Sequence, residues 1–385
     1  MSDRGILHYE FYIDEQQITP GPLEVVLKPS IANNTVAQVQ VLYHGPGQMK
    51  KRLTLPKQGT PVRLVWGKKP SQLKTWYGYI AHSEPTGRLP GGRYGNTIVT
   101  HVLVGNSHQL RAEKTRRWEE VTDSGIAKQL ASEYGLSLVA HRTSKVYPYL
   151  YQHGISDMDW LRERAKASGR QLWIENGTLY FTDPASLALA TTSTPVKGLM
   201  NRSRNRADNV HDAEPLVGSL VPVAGKQANR QLTGLDIEAN EFLYDRSAAD
   251  EPAPEWVRRN TAITSVSDLY QTSDAVKIEN EQWLQAHITL HGEVEAIPGN
   301  LFELTGKAVP QTLEGRWLIT DATQILRTRD SSGNGQRWGY ECEVTVARNR
   351  EDNLALRDTT MPKVNDACTL AGGRWIARSR REVLL

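Results

Sequence analysis

Alternation of apolar and polar residues limits what this chain can fold into more than any other feature, because a period of two buries one face of a β-strand. Three segments of the first hundred residues alternate in this way. Their apolar members are Tyr9, Phe11 and Ile13, then Val39, Val41 and Tyr43, and then Val62, Leu64 and Trp66. With further strands predicted at residues 75–83 and 98–104, this part of the chain is expected to form a small antiparallel barrel or sandwich.

The same period returns towards the other end of the chain. Strands are predicted at residues 287–294, 301–305, 317–326 and 338–346, with a hairpin tip at residues 330–335. In the last strand, Cys342 shares a face with Tyr340, Val344 and Val346. The pattern therefore predicts that Cys342 is a buried small hydrophobe and not a reactive thiol.

Between the two strand-rich parts, the apolar period becomes that of a helix. Ile126, Leu130 and Tyr134 recur at intervals of four, Thr122 precedes them as a candidate N-cap, and Gly135 follows them. A side-chain hydroxyl at the start and a glycine after the end are the usual signals of helix termini. A helix is therefore predicted between Thr122 and Gly135.

A second helix and a hairpin are predicted directly after a short strand-like segment. Ser156 and Asp159 resemble a capping box in which Asp replaces the usual Glu, and Gly169 is placed to end that helix. Asn176-Gly177 then separates two strand-like runs. Asn-Gly in this setting is the strongest short-range signal for a β-hairpin.

The length of 385 residues predicts several domains, because single cores rarely grow beyond roughly 250 residues. An Ala/Ser/Thr-rich segment, residues 185–194, marks a linker, and a further helix is predicted at Asp274 to Ala286 with Ser273 as its cap. The predicted division is a β-barrel at 1–115, an α+β helix/hairpin domain at 116–195, a second β-barrel with a helix-containing insertion at 196–350, and a tail or docking segment at 351–385.

Charge and cysteine content exclude some classes of protein. The 46 basic and 43 acidic residues give a formal charge of +3, which does not indicate a uniformly cationic nucleic-acid-binding surface. The two cysteines, Cys342 and Cys368, are too few for a disulfide scaffold and are expected to be free thiols. No apolar stretch approaches the roughly 20 residues of a spanning helix, so we expect neither a signal peptide nor a membrane anchor.

Two groups of ionisable residues suggest chemistry and also have a structural interpretation. His153, Asp157 and Asp159 could ligate a metal ion, but Asp159 already belongs to the predicted helix cap. Asp208, His211, Asp212 and Glu214 are the densest such group and could act as acid and base. A solvated loop is the simpler interpretation, because residues 201–212 lack the apolar neighbours that would desolvate a site.

Other loops carry no recognisable site. The glycine-rich segment 87–95 lies in a loop predicted at residues 85–95, and it lacks the Gly-Lys-Ser/Thr of a phosphate-binding loop. Residues 250–254 are acidic and proline-rich, which indicates a surface loop. We therefore predict no catalytic residue, no metal site and no cofactor, and we expect the protein not to be an enzyme.

The middle of the chain resembles phage late control protein D and related baseplate hub proteins, which share a module with the spike proteins of type VI secretion. These families have a Gln and a Ser-Asp before a helix with Trp/Phe-Leu and Ala, then a Gly and a hairpin. The matching residues here are Gln152, Ser156, Asp157, Asp159, Trp160, Leu161, Ala165, Gly169, Asn176 and Gly177.

This resemblance implies a β-rich α+β fold with two tube-type antiparallel β-barrels and an inserted helix/hairpin domain. It further implies a homotrimer that forms a pseudo-sixfold ring, with a tail tube or distal tail protein above, a spike or tip protein below, and a lumen through which DNA or tape-measure protein passes. The expected location is the tail baseplate of a virion, assembled in the bacterial host cytoplasm.

Two alternatives stay open. A tail-associated glycan-binding or cell-wall-degrading protein would use the abundant Trp residues and two well-placed carboxylates. A fragment of a type VI spike would continue into an oligonucleotide-fold domain and a β-helical needle, for which a chain of 385 residues leaves no room.

Overall fold

The structure is a computed structural model, and several predicted features lie outside the residues that it describes. The described residues are 8–19, 21–31, 35–43, 54–68, 73–88, 97–143, 145–182, 194–201, 208–217, 229–236, 241–247, 255–259, 265–266, 269–270, 284–311, 313–327 and 339–348. Outside them lie Ser273, Trp338, Cys368, the linker at 185–193, loop residues 89–95 and 202–207, the loop at 250–254, helix residues 274–283, the hairpin tip at 330–335 and the segment 351–385.

The first seven strands enclose one hydrophobic core. They are β1 (His8–Ile13), β2 (Gln16–Gln17), β3 (Glu24–Lys28), β4 (Val36–Tyr43), β5 (Pro61–Gly67), β6 (Lys74–Arg88) and β7 (Thr97–Gly105). Neighbouring strands pair antiparallel in the order β3-β4-β7-β6-β5-β1. The Tyr9 hydroxyl donates to the carbonyl of Pro22 at 2.9 Å, so β1 lies beside the chain that enters β3. We call this curled unit the first barrel.

The alternation of the sequence decides which residues fill the first barrel. Phe11, Val39 and Val41 are buried, as the period of two predicts, and Trp66 and Trp76 join them in the same core. Every second residue of these strands points to the opposite face of the sheet.

A mixed module follows a short 3-10 helix, Asn106–Arg111. Its elements are β8 (Glu113–Val121), α1 (Asp123–Glu133), β9 (Ser137–Ala140), β10 (Tyr147–Ser156), α2 (Asp157–Ala167), β11 (Gln171–Glu175) and β12 (Thr178–Thr182). Strands β8 and β10 form one antiparallel pair, and β11-β12-β9 form a three-stranded sheet in which β9 runs parallel to β12. Both helices pack on these strands around a core of their own.

The predicted local signals of the module are confirmed. The Thr122 side chain accepts from the Gly125 N–H, and Ser156 Oγ accepts from the Asp159 N–H at 3.1 Å, so each caps its helix. Asn176 and Gly177 have φ values of 48° and 74°, which is the left-handed geometry of a type I′ hairpin turn between β11 and β12.

The remaining strands build a second barrel around a second core. They are β13 (Val196–Leu199), β14 (Val210–Val217), β15 (Asn229–Asp236), β16 (Glu241–Ser247), β17 (Glu255–Arg259), β18 (Leu284–His291), β19 (Leu301–Thr305), β20 (Gly315–Arg327) and β21 (Gly339–Arg348). The pairing order is β14-β18-β21-β20-β19-β13, while β15, β16 and β17 form a separate small sheet. The predicted burial of Cys342, Val344 and Val346 is confirmed.

Asn209 closes the second barrel by imitating a strand partner. Its N–H donates to the Leu199 carbonyl at 3.1 Å, and its side-chain Oδ1 accepts from the Leu199 N–H at 2.8 Å. Its Nδ2 donates to the Lys197 carbonyl at 2.8 Å. These bonds join the end of β13 to the start of β14, the two outermost strands of the pairing order.

The two barrels share one continuous sheet. Residues 324–327 of β20 pair antiparallel with β3, from Gln324 opposite Leu27 to Arg327 opposite Glu24. The ring of Tyr340 packs against the cores of both barrels, and its hydroxyl donates to Gln324 Oε1 at 2.6 Å. The predicted β-rich α+β class, with barrel units and a helix/hairpin insertion, is confirmed, whereas the domain boundaries stay predictions.

The mixed module docks on the shared sheet through two stacked rings. Trp173 of β11 and Tyr180 of β12 lie parallel with their centroids 4.6 Å apart. They pack on Leu301 and Leu318, from β19 and β20 of the second barrel, and on Ile31, from the chain that leaves β3 of the first barrel. The module is therefore attached by an apolar contact to the region where the barrels join.

Three sequence predictions are corrected by strand pairing. Residues 85–88, predicted as a loop, extend β6 and pair with β7 despite a register irregularity after Pro85. Residues 210–212, predicted as part of a polar loop, belong to β14, whose alternation is broken by a bulge between Val210 and Asp212. Residues 284–286, predicted as the end of a helix, begin β18, because Leu284 and Ala286 continue the inward-facing row of Ile288 and Leu290.

Among the described residues, the structure contains no helix that is both long enough and apolar enough to cross a membrane.

Gly292 tests how closely the barrels pack, because a Cβ at this position would overlap the ring of Tyr340. We expect Gly292→Ala to lower the free energy of unfolding by about 1–3 kcal/mol, since overpacking forces a core ring to move. Gly339→Ala is the matched control, because its Cβ would enter open space. Urea unfolding of both full-length variants measures the difference, and equal stabilities would contradict the packing described here.

Candidate functional site

A buried carboxylate, Asp157, lies at the centre of the mixed module. Its side chain is fully buried at the start of α2, and Lys114 Nζ lies 2.8 Å from Oδ2. The Tyr134 hydroxyl donates to Oδ2 at 2.5 Å, and Gln152 Nε2 donates to Oδ1 at 2.9 Å. Arg116 adds a longer contact at 3.3 Å. One carboxylate therefore joins β8, α1, β10 and α2.

The ionisation of this cluster follows from its hydrogen bonds. Burial alone would raise the pKa of Asp157, but the bonds from Lys114, Tyr134 and Gln152 outweigh it and the pKa is lowered. The Arg116 guanidinium holds the pKa of Glu133 down at about 2. Both carboxylates therefore stay ionised at neutral pH, where they stabilise the fold, and this stability is lost as the pH falls through their lowered pKa values.

A second buried carboxylate repeats the arrangement on α1. Asp123 Oδ1 accepts from Arg164 Nε at 2.6 Å, and the Tyr147 hydroxyl donates to Oδ2 at 3.3 Å. The Arg164 guanidinium also lies over the rings of Tyr147 and Trp160. An ion pair thus links the two helices: Arg164 of α2 supplies the cation, and Asp123 of α1 supplies the anion.

The residues that carry the family resemblance serve this architecture. Gln152 holds Asp157, Ser156 and Asp159 cap α2, and Trp160, Leu161 and Ala165 are buried in the core of the module. Gly169 has a φ of 65° directly after α2, and Asn176 and Gly177 turn the hairpin. Their roles are structural in this fold, and what they do in assembly stays a prediction.

The possible metal ligands in this segment are separated. Asp157 is held by Lys114 and Arg116, whereas the ring of His153 stacks on Tyr151 at the surface of β10. Asp159 faces Ser156 and Arg162. Across the described ranges, no group of three or more His, Cys, Asp or Glu side chains has a geometry that could hold a metal ion.

The polar group predicted on a loop lies largely on β14. His211, Asp212 and Glu214 are exposed on that strand, and Asp208 precedes it and accepts from Asn201 Nδ2 at 3.0 Å. His211 Nε2 lies 3.0 Å from His291 Nδ1 on the neighbouring strand β18. Pairing with a histidine 80 positions away gives no local signal in the sequence.

His101 is a buried polar residue that the sequence did not single out. Its Nε2 lies 3.1 Å from the Tyr43 hydroxyl and its Nδ1 lies 2.8 Å from Ser83 Oγ, inside the first barrel. Burial lowers the pKa of His101 to about 4, so the ring is neutral at physiological pH. Both ring nitrogens are hydrogen-bonded, which is the arrangement of a core histidine.

One face of the large sheet lies opposite both barrel cores and mixes charged residues with apolar ones such as Val26, Val36 and Ile325; we call it the polar sheet face. It consists of the strand residues that alternate with the core residues, and cross-strand register places them side by side from β14 to β6. Its carboxylates are Glu24, Glu84, Asp212, Glu214, Asp321, Glu341 and Glu343, and its cations in the described ranges are Lys28, Arg316 and Arg327. This face carries a negative charge.

The outer face of β10 is aromatic. Tyr149 and Tyr151 are about half exposed, and their parallel rings form a ladder that His153 continues. The Arg117 guanidinium lies over the Tyr149 ring at 5.1 Å. This ladder is exposed on a two-stranded sheet that carries no further strand in the described ranges.

Sequence comparison finds one family model that is similar to the mixed module. The family model of the Alg8 N-terminal domain matches residues 108–195, which is under a quarter of the chain. No curated protein matches the chain.

Structural comparison covers nearly the whole chain. A 43 kDa tail protein of prophage MuSo2 from Shewanella oneidensis is 14% identical, with a TM-score of 0.64 over 89% of this chain and 99% of its own. A tail protein from Neisseria meningitidis is 11% identical, with a TM-score of 0.62 over 90% and 99%. An E. coli component of the type VI secretion system, described as similar to T4 bacteriophage tail proteins, is 10% identical, with a TM-score of 0.55 over 91% and 79%.

The fold is therefore that of these phage tail proteins, and the type VI secretion component shares it. Within this class, the chain is similar over 89% and 90% of its length to two tail proteins of about its own size. The resemblance to baseplate hub proteins that the sequence predicted is confirmed at the level of the fold.

Asp157→Asn tests the buried cluster. We expect the free energy of unfolding to fall by about 1–3 kcal/mol, because the donors of Lys114, Tyr134 and Gln152 lose a buried carboxylate, although Glu133 still pairs with Lys114 and Arg116. Asp159→Asn is the matched control, since that side chain is largely exposed and Asn retains the polar contact with Ser156. Chemical unfolding with far-UV circular dichroism measures both. A loss as small as that of the control would contradict the central role of Asp157.

Glu175 tests the contact between the module and the barrels. Burial raises its pKa from 4.5 to about 7, and Lys74 of the first barrel opposes this only in part. Because the folded protein favours the neutral acid, the free energy of unfolding should fall as the pH rises from about 4.5 to about 7, by about 1–3 kcal/mol. Glu175→Gln should remove this dependence, whereas Glu113→Gln, at an exposed position, should retain it. Urea unfolding at several pH values distinguishes the two outcomes.

Proposed function

We propose that this protein is a structural hub subunit of a phage-type tail baseplate and works by assembly, not by catalysis. The observation that carries the proposal is the pair of barrels joined by β3 and β20 into one sheet. The structural likeness to phage tail proteins supports the same role. In this role the protein needs no cofactor, and it is located in the tail of the virion after assembly in the host cytoplasm.

The proposed assembly is a homotrimer. Two similar barrels in each chain allow three copies to present six similar units, so that a threefold hub can meet a sixfold tube. A tail tube or distal tail protein then binds above the ring, and a spike or tip protein binds below it. Repeating one barrel type twice in a chain solves this mismatch of symmetry without a separate adaptor protein.

The polar sheet face is the proposed wall of the lumen. It is the face opposite the two barrel cores, along strands paired from β14 to β6, and the mixed module covers the part of it around Leu318. Its excess of carboxylates would repel the phosphates of DNA and so oppose binding to the wall. DNA or tape-measure protein could then pass without being retained.

A tail-associated glycan-binding or cell-wall-degrading protein is the second candidate function. The aromatic ladder of Tyr149, Tyr151 and His153 favours it, because exposed aromatic rings are common in surfaces that bind other molecules. The rings stack on one another and so present their edges outward, which suits a protein partner as well as a sugar.

The mass of the purified chain in solution tests the hub proposal. Light scattering should give three times 43.1 kDa, and electron-microscope images of the particles viewed along the ring axis should show six similar densities around an opening. A variant that ends at residue 350 tests whether the last segment is needed for the trimer. A monomer at high concentration that cleaves or binds surface polysaccharide would contradict the hub and support the second candidate.

A further inference from the structure

Two histidines from neighbouring strands meet at the surface of the second barrel. His211 lies on β14 and His291 ends β18, and their ring centroids are 3.9 Å apart with the planes at 68°. Nε2 of His211 and Nδ1 of His291 lie 3.0 Å from each other. Both side chains are exposed, so this pair is accessible from solvent.

The backbone holds the two rings together. The bulge between Val210 and Asp212 inserts His211 as an extra residue into the register of β14 and β18. The N–H of His291 donates to the carbonyl of Asn209 at 2.7 Å, and Asn209 is itself bonded to β13 through its side chain. The pair is therefore fixed by the same residue that closes the barrel.

We propose that His211 and His291 form a binding site for a divalent transition-metal ion of the zinc, nickel or copper class. Imidazole nitrogen is a preferred ligand of these ions, at roughly 2.0–2.1 Å. Two such bonds place the nitrogens roughly 3.0 Å apart at a right angle and roughly 3.3 Å apart at the tetrahedral angle. The nitrogen separation matches this range, but two rings that both point at one ion have centroids roughly 4.5–5 Å apart. The centroids here are 3.9 Å apart, so binding requires the two exposed rings to turn away from each other.

The proposed coordination leaves positions for other ligands. His211 binds through Nε2 and His291 through Nδ1, and each neutral ring then carries its hydrogen on the opposite nitrogen. Glu341 lies directly opposite His291 in the register of β18 and β21, but its carboxylate faces Arg327 at 3.6 Å. Among the described residues, the two imidazoles are the proposed protein ligands, and the remaining positions are left for water or other ligands.

A bound ion would connect β14 to β18 at an irregular part of the sheet. In the described ranges β14 pairs with β18 alone, and the register between them shifts twice. An ion held by one residue from each strand stabilises this pairing, because a ligand that binds only the folded state shifts the unfolding equilibrium. The site is independent of the hub proposal, since it requires only the second barrel.

The experiment uses the untagged full-length protein and NiCl₂ in isothermal titration calorimetry. We expect a binding step that is weakened by about tenfold or more in His211→Gln and in His291→Gln, because loss of one of two ligands leaves a single imidazole. His153→Gln is the matched control, since it removes an exposed histidine from another sheet. Ni²⁺ should raise the melting temperature of the parent protein and of His153→Gln, but not that of His211→Gln or His291→Gln.

A spectroscopic measurement keeps the result independent of folding differences between variants. With one equivalent of Cu²⁺, the electron paramagnetic resonance spectrum of the parent protein should show hyperfine coupling to two imidazole nitrogens, and each single variant should show one. Unchanged Ni²⁺ binding in a variant that carries both His211→Gln and His291→Gln, or no binding by the parent protein, would overturn the site.

Discussion

The pairing of β3 with β20 is the interaction on which the rest of the architecture depends. It joins residues about 300 positions apart by backbone hydrogen bonds, from Leu27 with Gln324 to Glu24 with Arg327. Because β3 and β20 each belong to a barrel, neither barrel can rotate against the other without breaking a ladder. Tyr340 packs between the two cores and is hydrogen-bonded to Gln324. Lys68 of the first barrel forms an ion pair with Glu293 of the second barrel. The sheet therefore acts as one wall.

The mixed module follows a different physical rule. Besides an apolar core of its own, it contains two buried carboxylates, Asp123 and Asp157, that connect its helices and strands. Asp157 binds partners from three elements besides its own helix, so a cluster of this kind selects one arrangement at a cost in desolvation. The segment that resembles hub proteins is thus the one that fixes the internal geometry of the module.

Sequence reasoning succeeded where one local rule determined the outcome. Alternation found the strands that bury Phe11 and Val344, and hydroxyl caps and glycines with positive φ located both helices and the Asn176-Gly177 turn. It failed where pairing over a long distance overrides local pattern. The bulge of β14 interrupts the alternation of residues, so the strand could not be predicted from the pattern. The β3–β20 ladder and the contact of His211 with His291 join distant residues and leave no signal in the neighbouring sequence. The burial of His101 was not predicted for the same reason, because its hydrogen-bond partners Tyr43 and Ser83 lie on other strands.

The shared sheet and the docked module differ in how strongly they resist movement, and a tail hub could use both properties. A wall that surrounds a passage must resist distortion, and backbone ladders resist it because all the bonds of a ladder must break together. The module meets that wall through the stacked rings of Trp173 and Tyr180, an apolar contact beside the ionisable Glu175. Such a contact is weaker than a ladder, so movement of the module against the wall costs less than movement between barrels. If parts of a hub must shift when its partners bind, this boundary is where the fold permits it.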